Sequence, residues 1–186
     1  MDRDQKDYDN LGKKIKDDLE EIKKLEGTST NDQSFGFWVA TTLLGMKSED
    51  AQIGIPGHEF GIDILRIDTE KKIIDISQVK WSDKLQHKLD SNVISKLFHG
   101  ATLLYDKDIH GNKEFEDKKQ PFRDAINSGG YSIHLQLVTA GKITDDQRKI
   151  ANALGKNLPS YFKRNTIRSI TCYSVDNIFD LLRKHL

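Results

Sequence analysis

The chain has 186 residues, the usual length of one domain, and its 36% of hydrophobic residues are enough for a packed core. Its 29 basic residues equal its 29 acidic residues, so any nucleic-acid partner would have to be held by a local patch. The single cysteine, Cys172, excludes an internal disulfide and a multi-cysteine metal site. No run approaches the ~18 apolar residues of a membrane span, and the N-terminus lacks the apolar run of a signal peptide. We therefore expect no membrane partner and a cytoplasmic location.

The first part of the chain predicts two helices. Within residues 4–26, apolar residues recur at steps of three and four, which places one narrow apolar stripe on an otherwise charged helix. We interpret residues 1–30 as a helical appendage. After a polar loop, residues 35–46 are apolar enough to form a mostly buried helix.

The rest of the chain alternates strands and helices. Residues 60–67 and 73–81 are β-rich runs around a polar turn, the pattern of a hairpin. The later predicted elements are a helix over about 91–105, a short helix opened by Pro121 and ending at 128, a strand over 131–139, a helix from the capping box of Thr144 and Gln147 to about 154, a strand over 167–173 and a helix over 175–184. We expect one α/β domain over residues 1–186, with a mixed central sheet of about four strands flanked by helices.

The hairpin predicts which side chains meet. If its turn is centred between Glu70 and Lys71, Asp63 faces Gln78, and Lys80 lies on the same face because side chains alternate along a strand. The same register places Arg66 opposite Asp75 and Phe60 opposite Trp81 on the reverse face, which predicts an ion pair and an aromatic pair. A carboxylate, an amide and an ammonium would then converge.

This polar trio occupies one end of a face that is otherwise apolar, with Leu65, Ile67, Ile74 and Ile76 along it. Carboxylate and amide oxygens suit Mg²⁺ or Mn²⁺, and a neighbouring ammonium can orient a hydroxide or steady a phosphate. The trio is therefore suited to phosphodiester hydrolysis. The alternative interpretation is a strand-end salt bridge between Asp63 and Lys80, with Gln78 merely beside it.

Asp63, a hairpin and then Gln78-Val79-Lys80 resemble the PD-(D/E)XK nuclease signature in its Q-x-K variant. An ordered set of motifs resembles the N-terminal nuclease-like region of AIPR (abortive infection phage resistance) proteins; it comprises Ser34 to Trp38, Leu43 to Gly45, Ser48 to Ala51, Gly61 to Asp63, Ile67-Asp68 and Gln78 to Ser82. The resemblance covers roughly residues 33–104. It implies a restriction-endonuclease-like core, a Mg²⁺- or Mn²⁺-dependent cut in DNA, and a role in defence against phage.

The resemblance also implies a role for each site residue. Asp63 would be the central metal ligand, Gln78 the second side-chain ligand, the Val79 carbonyl a further ligand, and Lys80 the group that acts on the attacking water. Two departures from the family pattern stand out: no proline and second acid precede Asp63, and Gln78 replaces a glutamate. The amide has one negative charge fewer, which weakens metal affinity.

A further acid is therefore expected at the metal. The family often takes it from the first core helix, which makes Glu20 and Glu21 candidates, and of these we prefer Glu21. Asp50 and Glu59 are alternatives that would approach from the following loop. For each of them the competing interpretation is a solvated surface acid.

DNA contacts are expected from basic residues near the motif. Lys84 and Lys88 are the preferred DNA-binding residues, and the other candidates are His87, Lys156, Lys163, Arg164 and Arg168. A homodimer through the apolar stripe of residues 4–26 would suit a double-strand cut. The resemblance is also compatible with the chain being part of a longer polypeptide. Two other functions stay open: a non-catalytic module that binds nucleic acid or protein, and a nuclease that cuts RNA.

Overall fold

The computed structural model describes residues 4–48, 61–111 and 113–184. The helices in it are α1 (Gln5–Glu26), α2 (Asn31–Trp38) with a π-helical continuation (Val39–Leu43), α3 (Asn92–Tyr105), α4 (Lys113–Ser128), α5 (Asp145–Lys156), a 3-10 turn (Ser160–Arg164) and α6 (Val175–Lys184). The strands are β1 (Ile64–Asp68), β2 (Ile73–Lys80), β3 (Ser132–Thr139) and β4 (Thr166–Tyr173). None of the described helices is both long enough and apolar enough to cross a membrane.

The fold is α/β with a mixed four-stranded sheet flanked by helices, which confirms the predicted class. The strands lie in the order β1-β2-β3-β4. The first two are antiparallel, and β3 and β4 each add in parallel through a helical crossover. The capping box that opens α5 is formed as predicted: Thr144 accepts from the Gln147 backbone, and the Gln147 side chain accepts in return.

The hairpin register is the one that the turn predicted. Arg66 is paired with Asp75, and the last pair of the ladder before the site is Ile64 with Ser77. The Arg66 Nε donates to Asp75 Oδ2 at 2.7 Å, so the expected cross-strand ion pair is present. Phe60, the expected partner of Trp81, lies outside the described residues.

Two apolar layers cover the two faces of the sheet. One face carries the even-numbered residues of β2, such as Ile74 and Ile76, and packs against α3, α4 and α5; we call it the α3 face. The other carries Ile64, Val79 and Val138 and packs against α1, α2 and α6; we call it the α1 face. Because side chains alternate, each residue of β2 belongs to one layer or the other.

Helix α1 is one layer of this fold, whereas the sequence predicted an appendage. Its stripe of Tyr8, Leu11, Ile15 and Leu19 is buried against Val79 and its neighbours on the α1 face. The same stripe was the candidate dimer surface. The buried part of this stripe is not free for a dimer contact, whereas Leu25 at its end is 73% exposed.

Helix α4 is longer than predicted. The sequence predicted that it begins at Pro121, but it begins at Lys113 and Pro121 lies inside it. Phe115, Phe122 and Ile126 are fully buried and fall on one side of the helix. The position between them is Lys119, whose side chain is also buried. Its ammonium donates to the Ile109 carbonyl and lies over the Phe115 ring, so a cation occupies an apolar stripe.

Candidate metal and phosphodiester site

The site lies where β1 begins and β2 ends. The Asp63 backbone N–H donates to the Ser77 carbonyl at 2.9 Å, so the chain is still held against β2 one residue before β1 starts. Asp63 Oδ2 accepts from the Val79 backbone N–H at 2.7 Å. The carboxylate therefore contacts the backbone of the residue that lies between Gln78 and Lys80 in the chain.

Asp63 does not stand on the α3 face opposite Gln78 as predicted. Ile62 is buried on the α3 face and Ile64 on the α1 face, so the alternation of side chains is interrupted between them. The bend begins at Gly61, whose φ is 69°. A Cβ at Gly61 would lie 2.7 Å from the Lys96 carbonyl oxygen, so only glycine allows the chain to pass this close to α3. The Asp63 carboxylate consequently points along the edge of β2.

Gln78 is the most unusual residue of the site. Its side chain is only 2% exposed and belongs to the α3 face. Its Oε1 is buried and has no hydrogen-bond partner in the part of the chain that the structure describes. Leaving a buried amide oxygen without a partner costs about 1 to 3 kcal/mol. A cation bound at Gln78 Oε1 would supply the partner that the described residues do not.

Val79 can contribute its carbonyl oxygen to the same place. The N–H and C=O of one strand residue point to the same side of the strand. Since the Val79 N–H points to Asp63, its carbonyl also points to the side on which Asp63 lies. The Lys80 carbonyl points the other way, because it accepts from the backbone N–H of Ala140, the residue that directly follows β3.

Lys80 lies on the α3 face with Gln78 and is half-buried. Among the described residues, none offers its ammonium a hydrogen bond or an ion pair. The strand-end salt bridge with Asp63 is therefore absent between these two described residues. A half-buried ammonium in this position is available to water or to an incoming anion.

The preferred additional acid, Glu21, does not join the trio. Glu21 is exposed on α1, which packs on the α1 face, whereas Gln78 and Lys80 lie on the α3 face. Glu20 is also exposed, and its hydrogen bond and charge interaction with Lys23 lower the pKa of its carboxyl. Asp50 and Glu59 lie outside the described residues.

The candidate ligands are oxygen atoms, which suit a hard cation, but only one of them belongs to a negatively charged group. An Asp carboxylate, an amide oxygen that no described residue contacts by a hydrogen bond, and a main-chain carbonyl are oxygen donors of the kind that Mg²⁺ and Mn²⁺ accept. Within residues 4–48, 61–111 and 113–184, no three His, Cys, Asp or Glu side chains are grouped as a metal site. Mg²⁺ keeps several waters when it binds, so a set with one carboxylate implies modest affinity.

The predicted DNA-contacting residues fall at two ends of the sheet. Lys84, His87 and Lys88 are exposed on the loop that directly follows Lys80. The other candidates precede β4 at the opposite end of the strands; they are Lys156, Lys163 and Arg164. The side chain of Arg168 lies outside what the structure describes. Only the first group shares an end of the sheet with Lys80.

One polar cluster was only half predicted. Asp75 is 2% exposed and uses Oδ2 for Arg66 and Oδ1 for His134, whose Nδ1 lies 3.0 Å away. The sequence predicted the Arg66 pair but not His134. The parallel register of β2 with β3, which pairs Asp75 with His134, was the missing information.

Two motif blocks that are far apart in sequence meet beside the site. The Phe35 ring packs edge-on against the Trp81 ring at 5.3 Å and stacks on Trp38 at 5.7 Å. The Trp81 backbone N–H donates to Asp32 at 3.2 Å. The helix at the start of the motif set is thereby joined to the residue that follows Lys80.

Comparisons of the chain with protein-family models, with curated proteins and with solved structures found no match. The likeness to PD-(D/E)XK and AIPR proteins therefore stays a prediction from motifs, and function has to be argued from the site.

Proposed function

We propose that this protein is a metal-dependent endonuclease that hydrolyses DNA phosphodiester bonds. The single observation that carries the proposal is the buried Gln78 Oε1, which has no partner among the described residues although it lies one residue from the Val79 N–H that contacts Asp63. Asp63, Gln78 and the Val79 carbonyl would hold Mg²⁺ or Mn²⁺. The ion, when bound, would supply Lewis-acid stabilisation of charge and a more acidic water.

Asp63 and Lys80 would have different roles in the reaction. Asp63 is held in place by the Val79 N–H, which fixes one carboxylate oxygen beside the end of β2. Lys80 lies on the same face as Gln78, and its ammonium would orient the attacking water and steady the scissile phosphate. The water would attack in line with the leaving oxygen, and the product ends would be a phosphate and a hydroxyl.

Several features support the wider assignment to PD-(D/E)XK and AIPR-like proteins. The hairpin register, the mixed sheet and the contact between Phe35 and Trp81 all agree with the order of the motifs. On this assignment the enzyme acts in the cytoplasm, in defence against phage. Fold likeness and motif order do not distinguish DNA from RNA as substrate, so RNA belongs in the test.

A second candidate is a non-catalytic module that binds nucleic acid or protein. The observation that favours it is that the Asp63 carboxylate already has a structural role, because it accepts the Val79 N–H where the β1 ladder ends. An Asp kept only for this hydrogen bond would leave the site without a reason to bind metal.

Cleavage of supercoiled plasmid separates the two candidates. We expect nicked and linear products only when Mg²⁺ or Mn²⁺ is present, and none in EDTA. Lys80→Ala should slow cutting by about 100-fold, the effect of removing one charge-stabilising donor, whereas Lys156→Ala at the far end of the sheet should cut normally. Cutting by Lys80→Ala at the wild-type rate would contradict the proposal, and a preference for single-stranded RNA would change the substrate.

A further inference from the structure

The loop that follows β2 is anchored on both faces of the sheet. Within residues 81–90, Leu85 is buried in the layer of the α1 face and Leu89 in the layer of the α3 face. The loop therefore crosses the end of the sheet from one layer to the other. His87 and Lys88 lie between these two buried leucines and are exposed at the end of the sheet.

A second loop is joined to this one by its backbone. Lys142, which follows β3, donates its N–H to the His87 carbonyl at 2.8 Å and accepts from the Leu89 N–H at 2.9 Å. The two loops are close because residue 141 is glycine: a Cβ there would lie 2.5 Å from the His87 carbonyl oxygen. Lys88 and Lys142 are thereby paired as neighbours in a parallel bridge, and both are basic.

Residues paired in this way project to the same side, so two basic side chains begin from neighbouring backbone positions. A directly paired like charge is unfavourable by roughly 0.2 to 1 kcal/mol. The closest acids in the loop are engaged elsewhere. Asp83 pairs with Lys16 on α1 at 3.3 Å, and Asp90 accepts from the backbone at the start of α3.

Among the described residues, no ion pair joins Lys88 or Lys142 to a carboxylate. Lys142 Nζ lies 5.5 Å from the centre of the Tyr8 ring and 3.5 Å from Gln86 Oε1, and the Tyr8 hydroxyl donates to Asp176. Two neighbouring basic residues that form no ion pair within the described part of the chain are suited to an anion with repeated charges.

We propose that Lys88 and Lys142 form a clamp for the phosphate backbone of duplex DNA, with Lys84 and His87 extending it. The proposal rests on the proposed nuclease function, because it names the surface that delivers DNA to Lys80. The Lys80 carbonyl accepts from Ala140 N, two residues before Lys142, so the clamp and the candidate site share one end of the sheet. A backbone clamp confers affinity without sequence preference.

Fluorescence anisotropy with a labelled 20-base-pair duplex in EDTA tests the clamp without any cutting. The logarithm of the binding constant falls with the logarithm of the salt concentration, and each lost phosphate contact makes this negative slope shallower by about 0.9. The double variant Lys88→Gln with Lys142→Gln should therefore make it shallower by about 1.8. The matched control is Lys156→Gln with Lys163→Gln, which removes the same charge at the opposite end of the sheet and should leave the slope unchanged. Thermal unfolding of the clamp variant should match the wild type or occur slightly higher.

Three outcomes would overturn the clamp: an unchanged slope in the clamp variant, an equal loss in the control variant, or tighter binding of single-stranded RNA than of the duplex. The nuclease proposal fails separately. If the wild type does not cut plasmid in Mg²⁺ or Mn²⁺ but the clamp variant still loses duplex affinity, the clamp stands and the nuclease falls. If the wild type cuts while the clamp variant binds normally, the reverse holds.

Discussion

Asp63→Asn is expected to abolish metal-dependent cleavage, by about 100-fold or more, while the protein stays folded. The amide keeps an oxygen that can accept from the Val79 N–H, so the hydrogen bond at the end of the ladder survives. The substitution removes the only carboxylate of the predicted trio, and with it the charge that attracts the cation. Plasmid cleavage and thermal unfolding, measured on the same preparation, report the two effects.

Asp63→Ala serves as the comparison because it removes both the charge and the hydrogen-bond acceptor. We expect equal loss of cleavage and, in addition, a loss of about 1 to 3 kcal/mol in the free energy of unfolding, since the Val79 N–H is left without its acceptor. If Asp63→Asn cuts like the wild type, the role of Asp63 is structural alone and the binding module becomes the better explanation.

Gln78→Leu is expected to stabilise the metal-free protein, which is an unusual result for a buried polar residue. Leucine is close to glutamine in size and removes a buried oxygen that has no partner among the described residues. We expect the free energy of unfolding in EDTA to rise by about 1 to 3 kcal/mol. Adding Mg²⁺ or Mn²⁺ should then stabilise the wild type, by about 2.7 kcal/mol at 100 times the dissociation constant, but not the variant.

Gln136→Leu is the matched control on the neighbouring strand. Gln136 is also buried, but its Oε1 accepts from the Ser77 hydroxyl at 2.7 Å. Its replacement leaves that buried hydroxyl without an acceptor, so we expect a loss of about 1 to 3 kcal/mol in EDTA and a normal response to metal. Urea unfolding followed by tryptophan fluorescence measures both variants. Equal destabilisation by the two substitutions would show that Gln78 has a structural partner.

Local patterns predicted most of the fold. The turn position alone specified the pairing of Arg66 with Asp75, and the spacing of Thr144 and Gln147 specified the start of α5. Both predictions are correct because a hairpin register and a helix cap depend on residues that are close in sequence. The helical links before β3 and β4 permitted parallel crossovers, and both strands are found to be parallel.

The failures came from tertiary contacts. Lys119 interrupts the apolar pattern of α4, and its burial depends on a carbonyl and an aromatic ring that only the folded chain supplies. The bend at Gly61 depends on the close approach of α3 and moves Asp63 from the face to the edge of the sheet. The position of α1 against Val79 likewise depends on packing, since the stripe alone suits an appendage equally well.

The sequence predicted the strand positions of the candidate residues better than the geometry of Asp63. Strand alternation places Gln78 and Lys80 on the face of Ile74 and Ile76, and the observed bounds and register of β2 agree with that placement. It did not predict that Asp63 would contact the Val79 N–H, because that contact requires the ladder to end at Ile64. Lys142 was missed because its pairing with Lys88 joins two loops that no local pattern connects.

A crystal soaked in Mn²⁺, with data collected for anomalous scattering, tests the central claim most directly. A divalent ion should appear about 2.1 Å from Gln78 Oε1 and from one oxygen of Asp63, the distance typical of Mg²⁺ sites. Soaked Gln78→Leu crystals should lack it. A wild-type map without an ion between these two oxygens, or with a protein hydrogen-bond donor on Gln78 Oε1, would contradict the account.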